Sequence, residues 1–393
     1  MKSSLLVPLL FLLIQLLSLP LGHEKRLPVK ENLENCEEIR ADNADDCLRM
    51  NHIQLLGTHN SYHVKPPARL VSLLDEYEKG WAENIDYSHR PLQEQLEELG
   101  IRQFEIDIFP DPEGGHYAQP SGAILSEDSD YPGHPELMKP GLKVIHGTDV
   151  DYRTTCLTFI SCLTEIRDWS LQNRTHLPIM VLVELKGGGE REGRGPVSFT
   201  TPVNFDRELI LDIDREIRMV FEEEHLLTPA EVQGDSRSLE EAILTKGWPT
   251  LSESRGRILF ALDNTNELRE IYQEALKMDE GRILFTSFDP GEEDAGFIKM
   301  NDSIGGIDQI RERSKAGYLI RTRADIPVRE AKSGDTTRRE AALNSGAHYI
   351  STDYPEMSPF GSGYIVRLPD AKGPGRCNPV TAPPTCKNQF IVE

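Results

Sequence analysis

The chain has 393 residues, 38% of them hydrophobic, enough for one large barrel or two average domains and too many for a disordered or fibrous protein. Its 43 Lys and Arg against 65 Asp and Glu give a formal net charge of −22, which argues against a general nucleic-acid binder, whose footprint is a basic patch or stripe. Only one long apolar run is present, so a polytopic membrane protein is excluded as well.

That run, Leu5 to Leu21, follows Lys2 and is broken by Pro8, Gln15, Ser18 and Pro20. Residues 1–22 therefore read as a signal peptide with its cleavage zone near Gly22, and the protein as secreted. Six cysteines fit that route and fall into three local pairs, Cys36 with Cys47, Cys156 with Cys162 and Cys377 with Cys386. A helix rises about 1.5 Å per residue, too far over this spacing for a disulfide, so a Cys156–Cys162 bond requires Cys156 to precede the helix. The sequons Asn173-Arg174-Thr175 and Asn301-Asp302-Ser303 are compatible with a secreted glycoprotein.

Eight short β-rich runs bounded by turn residues follow in order: His52 to Leu56, Ile101 to Phe109, Leu142 to Ile145, Pro178 to Leu185, Arg257 to Leu262, Arg282 to Thr286, Tyr318 to Arg323 and His348 to Thr352. Between them the apolar spacing is helical, as in Leu92, Leu96 and Leu99, in Ile160, Leu163, Ile166 and Trp169, in Ile210, Ile213, Ile217 and Phe221, and in Leu239, Ile243 and Leu244. Alternating strands and helices imply parallel strands, and eight units predict an α/β fold, a (β/α)8 TIM-like barrel forming a single catalytic domain over residues 27–359. An open doubly wound sheet is the alternative, but no Gly-x-Gly-x-x-Gly follows the first strand. The long connections Asp111 to Gly141, Gly187 to Asn204 and Ser287 to Gly306 each follow a strand and so belong on the C-terminal rim. Residues 360–393, rich in proline and carrying the last cysteine pair, read as a disulfide-stapled extension.

Polar residues recur at the ends of the first four strands: Gly57-Thr58-His59-Asn60, Glu105-Ile106-Asp107, His146-Gly147 and Glu184-Leu185-Lys186. Side chains alternate along a strand, so Glu105 and Asp107 share one face, and the apolar Phe104, Ile106 and Ile108 claim the other for the helices. Buried carboxylates are costly unless paired or bound to metal, and Asn60, Glu105, Asp107 and Glu184 offer the oxygen donors that suit Ca2+. The cysteines do not enter this set, which disfavours zinc. Two histidines and a metal also supply what cleavage of a phosphodiester beside a free hydroxyl needs: a proton acceptor, a proton donor and positive charge on the phosphoryl oxygens.

These segments resemble the secreted, calcium-dependent, microbial type of phosphatidylinositol-specific phospholipase C, and their order is similar to the catalytic core of the eukaryotic phosphoinositide enzymes. Thr58-His59-Asn60-Ser61-Tyr62 matches the first His-Asn block, Phe104-Glu105-Ile106-Asp107 the metal strand, Ile145-His146-Gly147 the second histidine and Val183-Glu184-Leu185 the last metal carboxylate, while Ser351-Thr352-Asp353-Tyr354-Pro355 resembles the closing strand. The resemblance implies attack of the inositol 2-hydroxyl on phosphorus, release of diacylglycerol and formation of a cyclic phosphate. It casts His146 as general acid and His59 as base or phosphoryl stabiliser, with Glu105 beside the metal as the other candidate for the first base, phosphatidylinositol in membranes or vesicles as the partner and no nucleic acid or obligate protein partner.

Lys186 is expected to contact phosphate, Arg321 and Arg323 to hold the headgroup, Asp263 and Asp353 to accept inositol hydroxyls, and Trp81, Tyr117 and Tyr131 to insert shallowly into lipid. The competing readings are a glycerophosphodiester phosphodiesterase, whose first histidine is followed by Arg-Gly rather than Asn60-Ser61, and a non-catalytic calcium-dependent inositol-lipid-binding protein.

Overall fold

The computed structural model describes residues 36–393 apart from 190–192, 194 and 279–280, so the expected signal peptide at 1–22 lies outside the described residues. The barrel strands are β1 (Ile53–Thr58), β2 (Gln103–Phe109), β4 (Ile179–Leu185), β5 (Ile258–Leu262), β6 (Leu284–Thr286), β7 (Phe297–Lys299), β8 (Leu319–Arg323) and β9 (Tyr349–Thr352). They are hydrogen-bonded in parallel in the order β6-β5-β4-β2-β1-β9-β8-β7. A further parallel bridge between Ser287 and Phe297 joins the two ends and closes the barrel.

Closure at eight strands agrees with the expectation, but one member of the set differs. Leu142 to Ile145 contains β3 (Lys143–Val144), which lies antiparallel to Ile108 and Phe109 as a short flap on the end of β2 and takes no place in the wall. The missing wall strand is β7, inside the segment expected to be a rim loop. At three residues β7 is too short to show an alternation, and a two-residue flap with buried Val144 carries the same apolar signal as a wall strand.

The helices fall where the periodicities put them: Leu92–Glu98, Phe159–Gln172, Leu211–Val220 and Leu239–Thr245. Phe159–Gln172 starts at Thr158, whose side chain caps the Ser161 amide, and buries Phe159, Leu163, Ile166 and Trp169 against the main core. Cys156 accordingly precedes the helix, and all three disulfides join the expected local pairs. On β2, Phe104, Ile106 and Ile108 are fully buried in the core between barrel and helices, leaving Glu105 and Asp107 to the barrel interior. No helix among the described residues is long and apolar enough to cross a membrane.

The C-terminal tail is more deeply built in than an appended extension. Its strand β10 (Gly375–Cys377) pairs antiparallel with Ile53 to Leu55 on the edge of β1 that β2 meets only at Gly57. The last side chain, Glu393, receives Arg102 Nε at 2.8 Å and a second contact from its Nη2, and also accepts the Leu177 amide at 2.6 Å. Arg102 is buried and stacks over Trp169 at 4.6 Å. Removing the partner of a buried guanidinium is costly, so Glu393→Ala is expected to lower stability by about 3 kcal/mol. Urea denaturation measures this, and an unchanged midpoint contradicts a role for the tail in holding the barrel floor.

Candidate active site and metal cradle

The turn after β1 is shaped by its own sequence. Asn60 sits at φ 45, a left-handed conformation that asparagine tolerates better than most residues, and Ser61 fastens the turn to β2 by donating its amide to Glu105 O at 2.8 Å and accepting the Glu105 amide at 2.8 Å. Gly57 is required one step earlier, because a Cβ there would lie 2.1 Å from Gln103 Oε1. The result presents His59 and Asn60 to the C-terminal mouth beside Glu105.

Across β2 and β4, Asp107 and Glu184 are register partners, and carboxylate oxygens of Glu105, Asp107 and Glu184 lie within 4.8 Å of one another. Asn60 donates its amide to Tyr87 Oη at 3.0 Å, and its Oδ1 is buried with no hydrogen bond. Asp107 Oδ1 likewise accepts no hydrogen bond, while its Oδ2 lies 2.9 Å from Lys186 Nζ. Unspent buried oxygens of this kind are what a hard cation requires, so this donor set fits Ca2+. Burial pushes the Glu105 carboxyl up, against the pull of Arg321 and with further push from Asp263 and Asp107. Burial and the neighbouring Asp107 likewise push Glu184 up, with Lys186 opposing. Close-packed carboxylates without sufficient counter-charge behave in this way.

The two expected histidines are held by different aspartates. His59 Nδ1 lies 2.9 Å from Asp353 Oδ1, and its Nε2 faces Glu105 Oε1 at 3.7 Å. Burial, Arg323 and Arg321 together depress its pKa well below the usual histidine value, favouring the neutral ring. His146 stands on the rim just after β3, where a Gly147–Asp151 bridge turns the chain back so that Asp151 Oδ2 meets His146 Nδ1 at 2.6 Å. Burial opposes protonation of His146, but hydrogen bonding and charge from Asp151, with Asp107 behind it, outweigh burial and raise its pKa. Asp151 also accepts from His63 Nε2 at 2.7 Å, while His63 Nδ1 meets the Tyr87 carbonyl at 3.1 Å.

The residues expected to bind substrate have the following partners within the protein. Lys186 does not stand apart as a phosphate contact: its Nζ is 2.9 Å from Asp107 Oδ2 and 2.9 Å from Glu184 Oε1, and these carboxylates raise its pKa despite burial. Asp353, expected to receive inositol hydroxyls, has Oδ1 on His59 Nδ1 at 2.9 Å and Oδ2 on Arg323 at 3.3 Å. Arg321 is sealed inside the barrel on Glu105, Asn301 (2.5 Å) and Ser351 (3.0 Å), which leaves Arg323 as the member of the pair facing the mouth. Asp263 pairs with Lys299 at 2.6 Å and keeps Oδ1 free of hydrogen bonds.

The three aromatics expected to enter lipid are held in the loops. Tyr117 is buried against Phe109 and Ile145, Tyr131 grips both polar groups of Thr154 through its hydroxyl, and Trp81 packs toward Phe199. They help form small cores that stiffen the rim connections. Asp151, His63, Tyr87 and Lys299 were not singled out from sequence; the one local clue is the run His146-Gly147-Thr148-Asp149-Val150-Asp151, short enough to fold back on itself.

Residues 48–379 match the family described as phosphoinositide phospholipase C, Ca2+-dependent. The chain belongs to this family. It is thus a phosphoric diester hydrolase of the phosphatidylinositol-specific phospholipase C type, and calcium-dependent. Similar solved structures include a calcium-dependent phosphoinositol-specific phospholipase C from Pseudomonas sp, at 16% identity and TM-score 0.48, covering 83% of this chain and 96% of that one. A Ca2+-dependent phosphatidylinositol-specific phospholipase C from Streptomyces antibioticus aligns at 16% identity and TM-score 0.46, covering 78% and 95%. A glycerophosphoryl diester phosphodiesterase from Parabacteroides distasonis aligns at 13% identity and TM-score 0.27, covering 84% and 98%. Comparison with curated proteins gave no match.

For this phospholipase, calcium bound to the native state adds stability by mass action, about 2.7 kcal/mol at one hundred times the dissociation constant. Thermal melts are expected to shift upward on adding Ca2+ and back with chelator. Asp107→Asn, which withdraws a charged donor, is expected to weaken that binding by about tenfold or more. An equal calcium shift in Asp107→Asn and the unaltered protein would place the ion elsewhere.

Proposed function

We propose that the protein cleaves phosphatidylinositol by intramolecular attack, releasing diacylglycerol and an inositol 1,2-cyclic phosphate. The observation that carries this reading is the pair of aspartate-oriented imidazoles beside one oxygen-donor cradle, His59 with Nδ1 on Asp353 and Nε2 toward Glu105, and His146 with Nδ1 on Asp151.

In this mechanism His59 is the base. Asp353 accepts from its Nδ1, which leaves the Nε2 lone pair facing the cradle to take the proton of the inositol 2-hydroxyl. The 2-oxygen forms its bond to phosphorus while the bond to the glycerol oxygen breaks, and His146 gives its Nε2 proton to that leaving oxygen. Asp151 at Nδ1 keeps the ring oriented and charged until then. Ca2+ held by Asn60, Glu105, Asp107 and Glu184 supplies positive charge for the phosphoryl oxygens and favours ionisation of the attacking hydroxyl. Arg323, with a buried Nε that makes no hydrogen bond, is the donor best placed to add headgroup contacts at the mouth. The partner is phosphatidylinositol at a membrane or vesicle surface, met transiently. The disulfides and the leader-like residues 1–22 support secretion into an oxidising compartment.

Phosphorus NMR of the protein with phosphatidylinositol vesicles tests the reaction: a cyclic inositol phosphate resonance is expected with Ca2+ and not with chelator. Cleavage of glycerophosphoinositol without diacylglycerol release would replace this reading with the phosphodiesterase one.

The acid assignment gives two further outcomes. His146→Ala is expected to lower turnover by about 100-fold or more while Ca2+ still binds. Because the raised pKa keeps His146 protonated to higher pH, activity is retained below that value and lost as pH rises through it. Asp151→Asn removes the charge that raises it and leaves burial, which lowers it, so the alkaline limb of the rate profile moves down by about one pH unit or more. An unmoved limb in Asp151→Asn would take the proton-donor role away from His146.

A further inference from the structure

Lys186 occupies a place that its role as a phosphate contact does not explain. It stands one alternation beyond Glu184 at the end of β4, and its ammonium is equidistant, at 2.9 Å, from Asp107 and Glu184. Those are two of the four residues whose oxygens fit Ca2+. Yet Asp107 Oδ1 and Asn60 Oδ1 are left without a hydrogen bond, so the ammonium neutralises the cradle but meets only part of its oxygens. A lysine ammonium is a compact point charge, suited to balance carboxylates and unable to bind an asparagine oxygen and three carboxylates together.

A divalent ion and this ammonium would share the same oxygens at contact distance, where like charges repel strongly in a partly buried setting. One must leave. The ammonium has somewhere to go: beside it opens a cleft of about 560 Å3, lined by Glu184, Lys186, Gly187, Gly188, Asn204 and Asn264. The glycines that follow Lys186 put no side chain in its path, and a Cβ at Gly188 would meet nothing within 4 Å.

We propose that Lys186 is a tethered counter-ion of the cradle: it balances Asp107 and Glu184, competes with Ca2+ for them, and is released toward the anionic substrate phosphate when the ion binds. This rests on the cradle being the calcium site. The affinity for Ca2+ is then set by competition with an internal cation, and an anionic headgroup that receives the displaced ammonium strengthens calcium binding. By reciprocity calcium strengthens headgroup binding by the same factor.

The test is calorimetric titration of Ca2+ into the full-length protein and its Lys186→Met, Lys186→Gln and Lys186→Arg variants, with thermal melts in chelator alongside. Lys186→Met and Lys186→Gln are expected to bind Ca2+ about tenfold or more tightly and to melt lower in chelator, where the carboxylates face each other uncompensated. Lys186→Arg keeps the charge and is expected to stay within about threefold of the unaltered protein. Two neutral variants are included so that poor folding of one does not remove the readout. Calcium binding in the unaltered protein, with equal or weaker binding in the neutral variants, overturns the competition alone. No calcium binding by the unaltered protein overturns the cradle reading and this inference with it.

Discussion

The structure turns on the electrostatics of acidic side chains placed at one end of a closed barrel. Glu105, Asp107, Glu184, Asp263 and Asp353 all project from or just beyond the C-terminal ends of parallel strands, where a low-dielectric wall makes uncompensated charge expensive. The fold answers with cations at matched positions: Arg321 on Glu105, Lys186 between Asp107 and Glu184, Lys299 on Asp263, and Arg323 with His59 on Asp353. Asp107 Oδ1, Asn60 Oδ1 and Asp263 Oδ1 still lack hydrogen-bond partners, which supports the proposed metal position beside them. The two histidines are pushed apart: burial, with Arg323 and Arg321, lowers the pKa of His59, whereas at His146 Asp151 outweighs burial and raises it.

Much of this was legible in the chain. The alternation of Glu105 and Asp107 with Phe104, Ile106 and Ile108 indicated which face looks inward, and carboxylate oxygens of Glu105, Asp107 and Glu184 lie within 4.8 Å of one another. The family match over residues 48–379 agrees with the resemblance carried by the His-Asn block, the metal strand, the second histidine and the last carboxylate. The local cysteine pairs followed from spacing and helix rise.

What was not legible depends on contacts between distant segments. Nothing around Asp353 says that its partners are His59 and Arg323 rather than a sugar hydroxyl, because those partners are 294 and 30 residues away. His63 and Asp151, 88 residues apart, meet only because the turn after Gly147 folds back beneath His146. The β3 flap and the three-residue β7 were exchanged because short apolar runs carry no period that distinguishes a wall strand from a flap. Tyr117 and Tyr131 illustrate the same point for aromatics: in a long connection they are spent on that connection's own packing, and their hydroxyls are used on backbone groups.

The central claim is that Asn60, Glu105, Asp107 and Glu184 together form a calcium site at the mouth of the barrel. A crystal structure grown with Ca2+ tests it most directly. One ion is expected, with an oxygen of each of these four side chains at about 2.3 to 2.6 Å and the Lys186 ammonium moved away from Asp107. An ion bound elsewhere, or a cradle still closed on Lys186 at saturating calcium, would contradict it.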